Sequence, residues 1–259
     1  MCGRYVQISQ IEVVEKRFNA EMVPGAELPY NPNVTPGEGA PVITSDAPHS
    51  IQLFNFGMTP SWSQRNMLLI NARSEGDLNP DNDMRYTGGK GIISKPSFRV
   101  PIRRQRCLVL ADAFMEGPDD RKLSDPYLVY LRKHERPFAF AGIWDCWTDP
   151  NTGVARYGFA IITTAANGVT QRIGHSRCPA ILTRDQEATW LDSEAELQDI
   201  TQILEPWPTE HMNAYPISAA IKNSSIKDVR ALLPVGERVI PESEYNVSDD
   251  LRLDGMRPS

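Results

Sequence analysis

Six short apolar runs that read as strands dominate this chain, at residues 41–44, 51–56, 107–114, 127–131, 138–144 and 157–164. They are bounded by proline, glycine and polar clusters, the punctuation expected of strands. Helical periodicity is scarce by comparison. Residues 11–18 form an amphipathic pattern with Ser9 as its expected N-cap, and residues 183–191 and 194–203 carry two more helices, the first opened by Thr183 or Asp185. Strands that outnumber helices without alternating with them exclude a regular βαβ fold. They predict an α+β fold built on a curled, mainly antiparallel sheet flanked by short helices. The prolines between residues 30 and 36 predict a loop, and the polar, glycine-rich stretch 79–91 a long surface loop. No repeat or low-complexity linker divides the chain. It reads as one domain over residues 1–235 followed by a polar acidic tail over 236–259, frayed from about residue 242.

With 259 residues, 41% of them hydrophobic and 23% charged, the chain can bury a substantial globular core. No stretch approaches the ~20 apolar residues that span a bilayer, and no basic segment followed by an apolar run marks a signal peptide. The expectation is a protein without a membrane partner, cytoplasmic, nucleoid-associated if bacterial and nuclear if eukaryotic. Cys2, Cys107, Cys146 and Cys178 show no C-x-x-C spacing, so neither a zinc site nor any other cofactor is expected and the thiols are read as reduced. A net charge of −6 argues against indiscriminate coating of nucleic acid. It leaves room for a local basic groove, because Lys95, Arg99, Arg103, Arg104 and Arg106 follow one another with no acid between them while the acidic excess lies further on. Such a run serves as a solvated face as readily as a phosphate contact.

The second residue is a cysteine, in Met1-Cys2-Gly3-Arg4-Tyr5. One cut after Met1 would expose a 1,2-aminothiol, whose amine can condense with an aldehyde and whose thiol can then close a thiazolidine ring. The α-amine has an unperturbed pKa of about 7.7–8.0, so a nucleophilic fraction exists near neutral pH. By position alone, Cys2 is as readily an ordinary buried residue behind the initiator. Other chemistry-bearing groups are dispersed. Glu116 ends an apolar run and is either its first exposed residue or a placed acid/base. His175, beside Arg177, suits proton transfer next to a phosphate or is an incidental loop histidine. Asn71 and Arg73 share one side of an extended segment, able to orient a nucleophile and grip an anion or simply to pair at the surface.

Taken in order, Met1-Cys2-Gly3-Arg4-Tyr5, Tyr30-Asn31-Pro32-Asn33-Val34-Thr35-Pro36, Phe56-Gly57-Met58-Thr59-Pro60-Ser61-Trp62, Ile70-Asn71-Ala72-Arg73, the stretch ending in Phe114-Met115-Glu116, and His175-Ser176-Arg177-Cys178-Pro179 resemble the SOS response-associated peptidase (SRAP) family across roughly residues 1–235. The resemblance implies a sensor of abasic sites in single-stranded DNA. It would remove Met1 autocatalytically and crosslink Cys2 covalently to the ring-opened sugar, shielding the lesion, with peptidase-like and possible lyase activity. It implies Asn71 holding the Cys2 amine, Glu116 as acid/base, His175 assisting sugar opening, Arg4, Arg73 and Arg177 on phosphates, and Trp62 stacking on a base. Cys107, Cys146 and Cys178 are then structural, and a monomer suffices. The sequence departs from the family where Gly117 follows Glu116 in place of an aromatic residue, where Ala113 replaces glycine, and where Ser63 follows Trp62. Two other readings remain: a cysteine protease acting on other proteins through Cys2 and His175, and a non-covalent single-strand binder.

Overall fold

A computed structural model describes residues 2–133 and 135–242. Its elements run β1 (Tyr5–Gln7), α1 (Ile11–Phe18), β2 (Glu21–Met22), β3 (Asn31–Val34), β4 (Gly39–Thr44), β5 (Ala47–Phe56), β6 (Asn71–Arg73), α2 (Pro101–Arg104), β7 (Arg106–Ala111), β8 (Ala113–Glu116) and β9 (Tyr127–Leu131). They continue with β10 (Phe138–Thr148), β11 (Ala155–Ala165), α3 (Gly168–Arg172), β12 (Arg177–Pro179), β13 (Ile181–Leu182), α4 (Arg184–Leu191), α5 (Leu197–Gln202) and β14 (Met212–Pro216).

Strands β5, β4, β7, β10 and β11 pair in that order, and β11 returns to β5, closing a five-stranded barrel. The first four pairings are antiparallel, whereas the closing β11–β5 pairing is parallel. A second, wholly antiparallel sheet runs β14-β9-β8-β1-β3. This is the α+β architecture that the strand pattern predicts.

The period-two geometry of strands sends alternate residues to opposite faces of the barrel wall. Ile43, Leu108, Leu110, Ala139, Ala141 and Ile162 pack with Val14 of α1, Trp190 of α4 and Ile200 of α5. Their neighbours Val42, Val109, Phe140 and Ile161 join Cys2, Tyr5 and Phe114 in an aromatic core. There Tyr5 meets Phe56 and Phe140 edge-on, with ring centroids 5.6 and 5.8 Å apart, a favoured aromatic arrangement. Cys2 is therefore anchored through Tyr5, three residues on, into the seam between barrel and sheet.

Several local expectations are corrected. The run 107–114 is two strands in different sheets, broken at Asp112, whose carboxylate accepts from the backbone N–H of Ile8 (2.6 Å) and Ser9 (2.8 Å). Ser9 spends its hydroxyl on the same carboxylate, so α1 is preceded by Gln10 as N-cap, with no side-chain cap. The segment around residues 30–36 is not all loop. Its Asn31–Val34 forms an edge strand, where the missing N–H of Pro32 costs no ladder bond on the open side. Thr183 does cap α4, through a capping box with Gln186, while the helix expected over 194–203 is shortened to Leu197–Gln202.

The basic run is divided by the fold: Arg99, Arg103 and Arg104 stay exposed, while Arg106 is taken inside. Arg106 is fully buried and donates to the carbonyls of Trp190 (2.7 Å), Ile102 (3.2 Å), Arg103 (2.6 Å) and Asp192 (2.5 Å). Lys95 pairs with Asp77, and Arg103 reaches Ile93 O at 2.9 Å. Beyond residue 235 the chain still packs: Val239 N donates to Ala214 O at 2.8 Å and Glu242 accepts from Arg132 at 2.9 Å. The rest of the expected tail, 243–259, lies outside the described residues. Among the described residues, no helix is long and apolar enough to cross a membrane.

Candidate active site at the amino terminus

Cys2 is 1% exposed, its Sγ 3.8 Å from the Arg4 carbonyl. Burial, followed by the charge of Glu116, pushes its thiol well above the ordinary range. Asn71 begins β6, which lies parallel to β11 with Asn71 opposite Ile161. From there its Nδ2 donates to Cys2 O at 3.0 Å. The other end of the amide, Oδ1, is buried with no hydrogen-bond partner among the described residues. An acceptor held dry and unpaired costs on the order of 1–3 kcal/mol. It is an open position for a donor.

Glu116 closes β8, and His175 follows the short α3, which Asn167 caps by accepting from Val169 N (3.1 Å) and Thr170 N (3.0 Å). Gly174, at φ +77, turns the chain so that the imidazole faces Glu116. His175 Nε2 lies 3.1 Å from Glu116 Oε2, with both side chains 6% exposed. On the other side Nδ1 lies 2.9 Å from Gly117 O and 3.0 Å from Asp119 Oδ1. Hydrogen bonds from Ser176 and the neighbouring His175 outweigh burial and hold Asp119 below the usual carboxylate range. Both groups facing Nδ1 are therefore acceptors, so Nδ1 carries a hydrogen. In the neutral ring Nε2 is then an acceptor, and Glu116 is the group that can donate to it. The electrostatics agree with this hydrogen-bond logic: burial raises Glu116 to about 7 and lowers His175 to about 4. Burial thus favours the proton on the carboxyl side of the pair, against the pull of the chain's α-amine on Glu116.

The cations expected on phosphates are all engaged. Arg4 donates to Asn33 Oδ1 (2.9 Å), Ile221 O (2.8 Å) and Lys222 O (2.7 Å), tying the first strand to a late loop. Arg73 Nη2 reaches Asn79 O (2.5 Å) and Asn82 Oδ1 (2.9 Å). Arg177 forms a bidentate pair with Glu75, at 3.2 and 2.8 Å, and donates to Thr163 O at 2.7 Å. With its side chain 4% exposed, it meets a phosphate only if the Glu75 pair opens. Trp62 is different, 57% exposed on a loop that also presents Met67 and Leu68. The structure thus joins Asn71 to Cys2 and Glu116 to His175, but holds Arg4 in one internal network and Arg73 and Arg177, which both donate to Asn82 Oδ1 at 2.9 and 3.3 Å, in another.

The model of the SOS response associated peptidase (SRAP) family matches residues 1–224. The chain belongs to the SRAP family. The abasic site processing protein YoqW of Bacillus subtilis is 32% identical over 235 residues, which cover 87% of this chain and 97% of that protein. The abasic site processing protein HMCES of Gallus gallus is 27% identical, covering 89% of this chain and 74% of its own length. A crystal structure of a protein from Bacteroides thetaiotaomicron superposes with a TM-score of 0.76 at 28% identity, over 90% of this chain and all of that one.

Within this SRAP frame two of the three departures have structural reasons, and nothing in the structure explains Ala113. At Gly117 an added Cβ would lie 1.8 Å from Lys122 O and 2.9 Å from Asp125 O. The chain folds back over Gly117 here, leaving no space for an aromatic residue, and that fold-back brings Asp119 to His175. Ser63 is buried, its carbonyl accepting from Trp147 Nε1 at 2.7 Å, so Trp62 stands without a second tryptophan beside it. Residue-level reading missed Asp119 and Glu75. The turn-forming Gly117-Pro118-Asp119-Asp120 directly after Glu116 was the available signal for the first; nothing local marked the second.

Proposed function

We propose that this SRAP protein captures abasic sites in single-stranded DNA by forming a thiazolidine between Cys2 and the ring-opened sugar, after hydrolytic removal of Met1. The observation that carries the reading is the Asn71 amide that grips the Cys2 backbone, with the buried Glu116 carboxyl near enough for its charge to act on the Cys2 thiol. The relatives named above, described as abasic site processing proteins, favour the same substrate.

In this reading the freed α-amine of Cys2 occupies the position that the unpaired Asn71 Oδ1 leaves open, and donates to it. The amine attacks the sugar C1 aldehyde to give a carbinolamine. Glu116, in its protonated form, donates to the departing hydroxyl; water leaves as the protonated imine forms, and its N–H proton returns to the Glu116 carboxylate to give the imine. The neutral thiol then adds across the C=N bond: sulfur bonds to carbon and the thiol proton passes to nitrogen, closing the ring. A protonated thiol is no handicap, because the amine attacks first. Glu116 as carboxylate serves the earlier hydrolysis by activating water toward the Met1 carbonyl, and His175 shares its proton traffic. Trp62 stacks on a neighbouring base.

The protease alternative requires a thiolate–imidazolium pair. The geometry favours it less, since both His175 nitrogens face Gly117, Asp119 and Glu116 and burial disfavours both charged forms. The test is a denaturing gel of the Met1-processed protein with single strands containing or lacking an abasic site. A retarded band confined to the abasic strand and absent for Cys2→Ala supports the reading; no band, or equal bands on both strands, refutes it.

A further inference from the structure

A buried acid/base that serves first as carboxylate and then as acid must exchange its proton with water between the two steps, and Glu116 has little direct exposure to it. Its side chain is 6% exposed, and the Oε2 edge is covered by His175, itself 6% exposed. The opposite edge of the imidazole meets Asp119, whose side chain is 50% exposed. We propose that Asp119 is the solvent-side end of a proton relay running from Glu116 through His175, and that its carboxylate positions the imidazole for that transfer. The inference rests on Glu116 as the acid/base of the reading above.

Three features of the loop support this assignment. The Asp119 carboxylate is fixed at both oxygens, with Oδ1 3.0 Å from His175 Nδ1, whose N–H it shares with Gly117 O at 2.9 Å, and Oδ2 accepting from Ser176 N at 3.0 Å. Its backbone is fixed as well, Asp119 N donating to Gly174 O at 3.0 Å. The fold-back over Gly117 that creates this arrangement admits no side chain at residue 117. A surface aspartate without a function in the relay needs none of these restraints.

The transfer balances. The Glu116 proton moves to Nε2 as the Nδ1 proton moves to Asp119 Oδ1. Glu116 becomes a carboxylate, the ring exchanges one neutral tautomer for the other, and Asp119 is briefly protonated. Asp119 then releases its proton to water. Run outward, the relay leaves Glu116 as a base; run inward, it reloads Glu116 as an acid. Because the ring loses and gains a proton together, no free imidazolium is required in a site that burial makes hostile to one. Glu116 lies at Nε2 and Asp119 at Nδ1; the positive charges of the chain's α-amine and, more weakly, Arg177 oppose imidazolium formation, while Asp119 favours it.

Asp119→Asn keeps the shape and removes both the charge and the proton affinity. With Met1-processed protein, we expect adduct formation with an abasic strand to slow at least about tenfold, within the range of a proton-transfer contribution. The limb of the pH–rate profile governed by Glu116 should move to lower pH, because Asp119 helps raise that carboxyl. Asp119→Ala should slow similarly and recover part of its rate in millimolar formate, a diffusible carboxylate. A ring-nitrogen NMR titration without DNA reads the same coupling: Asp119→Asn should lower the His175 titration point, since Asp119 favours its protonated form. An unchanged rate and pH profile, or a slower rate with an unmoved profile and no formate rescue, overturns the relay. If the unaltered protein forms no adduct at all, the crosslinking reading fails instead, and the NMR titration still decides whether Asp119 is coupled to His175.

Discussion

Glu116→Gln should make this protein more stable while making it a poorer catalyst. The sign follows from the burial of a carboxyl whose pKa is raised from 4.5 to about 7. Below pH 4.5 the group is protonated in both folded and unfolded chains and contributes nothing. Between pH 4.5 and 7 the folded chain holds a proton that the unfolded chain has released, so stability falls as pH rises. Above pH 7 the loss is complete. At about 1.4 kcal/mol per pH unit, that interval amounts to about 3 kcal/mol. Glutamine cannot ionise, yet its amide can donate to His175 Nε2, so the variant escapes the loss. His175, lowered to about 4, adds a term of opposite sense: stability lost as pH falls from its ordinary 6.5. That term is common to both proteins to first order. Urea unfolding of the two proteins from pH 4.5 to 8 should give nearly equal free energies at the acid end. By pH 8 the variant should lead by about 3 kcal/mol, with an unchanged denaturant slope. Methionine release and adduct formation should slow in the same variant. A variant that is no more stable than the parent at pH 8, or whose advantage is independent of pH, would falsify the claim that Glu116 is a buried group titrating near neutrality.

Gly117→Ala should lower stability by about 1–3 kcal/mol or more, because its Cβ would lie 1.8 Å from Lys122 O and the neighbour is backbone; calorimetry showing no loss would mean that the turn yields freely. Arg177→Ala strands the Glu75 carboxylate, which is 3% exposed, and should cost about 3–5 kcal/mol. The double replacement Arg177→Met with Glu75→Leu should recover most of that, and an equally unstable double variant would contradict the assignment of the pair. Trp62→Ala should leave the melting temperature unchanged and weaken reversible single-strand binding by about 1–3 kcal/mol per base stacked, measured by fluorescence anisotropy; unaltered affinity would remove Trp62 from the interface.

What the sequence made legible was local. The amphipathic pattern of Ile11–Phe18 and the apolar run Tyr127–Leu131 appear with those bounds, because each carries its periodicity within itself. The run 107–114 reads as one strand, and only the folded chain shows that Asp112 marks the passage from barrel to second sheet. The parallel closure of β5 onto β11 joins segments about a hundred residues apart and leaves no local trace. The same limit explains the arginines: a guanidinium in a loop looks free until Glu75, far away in sequence, is seen to hold Arg177. Residue types alone left Cys2, Asn71, Glu116 and His175 as separate open questions. The family resemblance grouped them, and the structure brings Asn71 to Cys2 and Glu116 to His175. Asp119 entered neither grouping: the turn residues around it signal a fold-back after Glu116, but not that the fold-back delivers its carboxylate to His175.

The measurement that bears most directly on Cys2 as a latent amino terminus is intact and peptide mass spectrometry of the protein incubated with an abasic single strand. The expected product lacks Met1, carries one sugar-linked strand, and yields an amino-terminal peptide in which Cys2 bears a thiazolidine stable to denaturation, with no adduct from Cys2→Ala. An adduct mapped to a lysine or to Cys178, or one formed equally well with Met1 retained, would contradict the account.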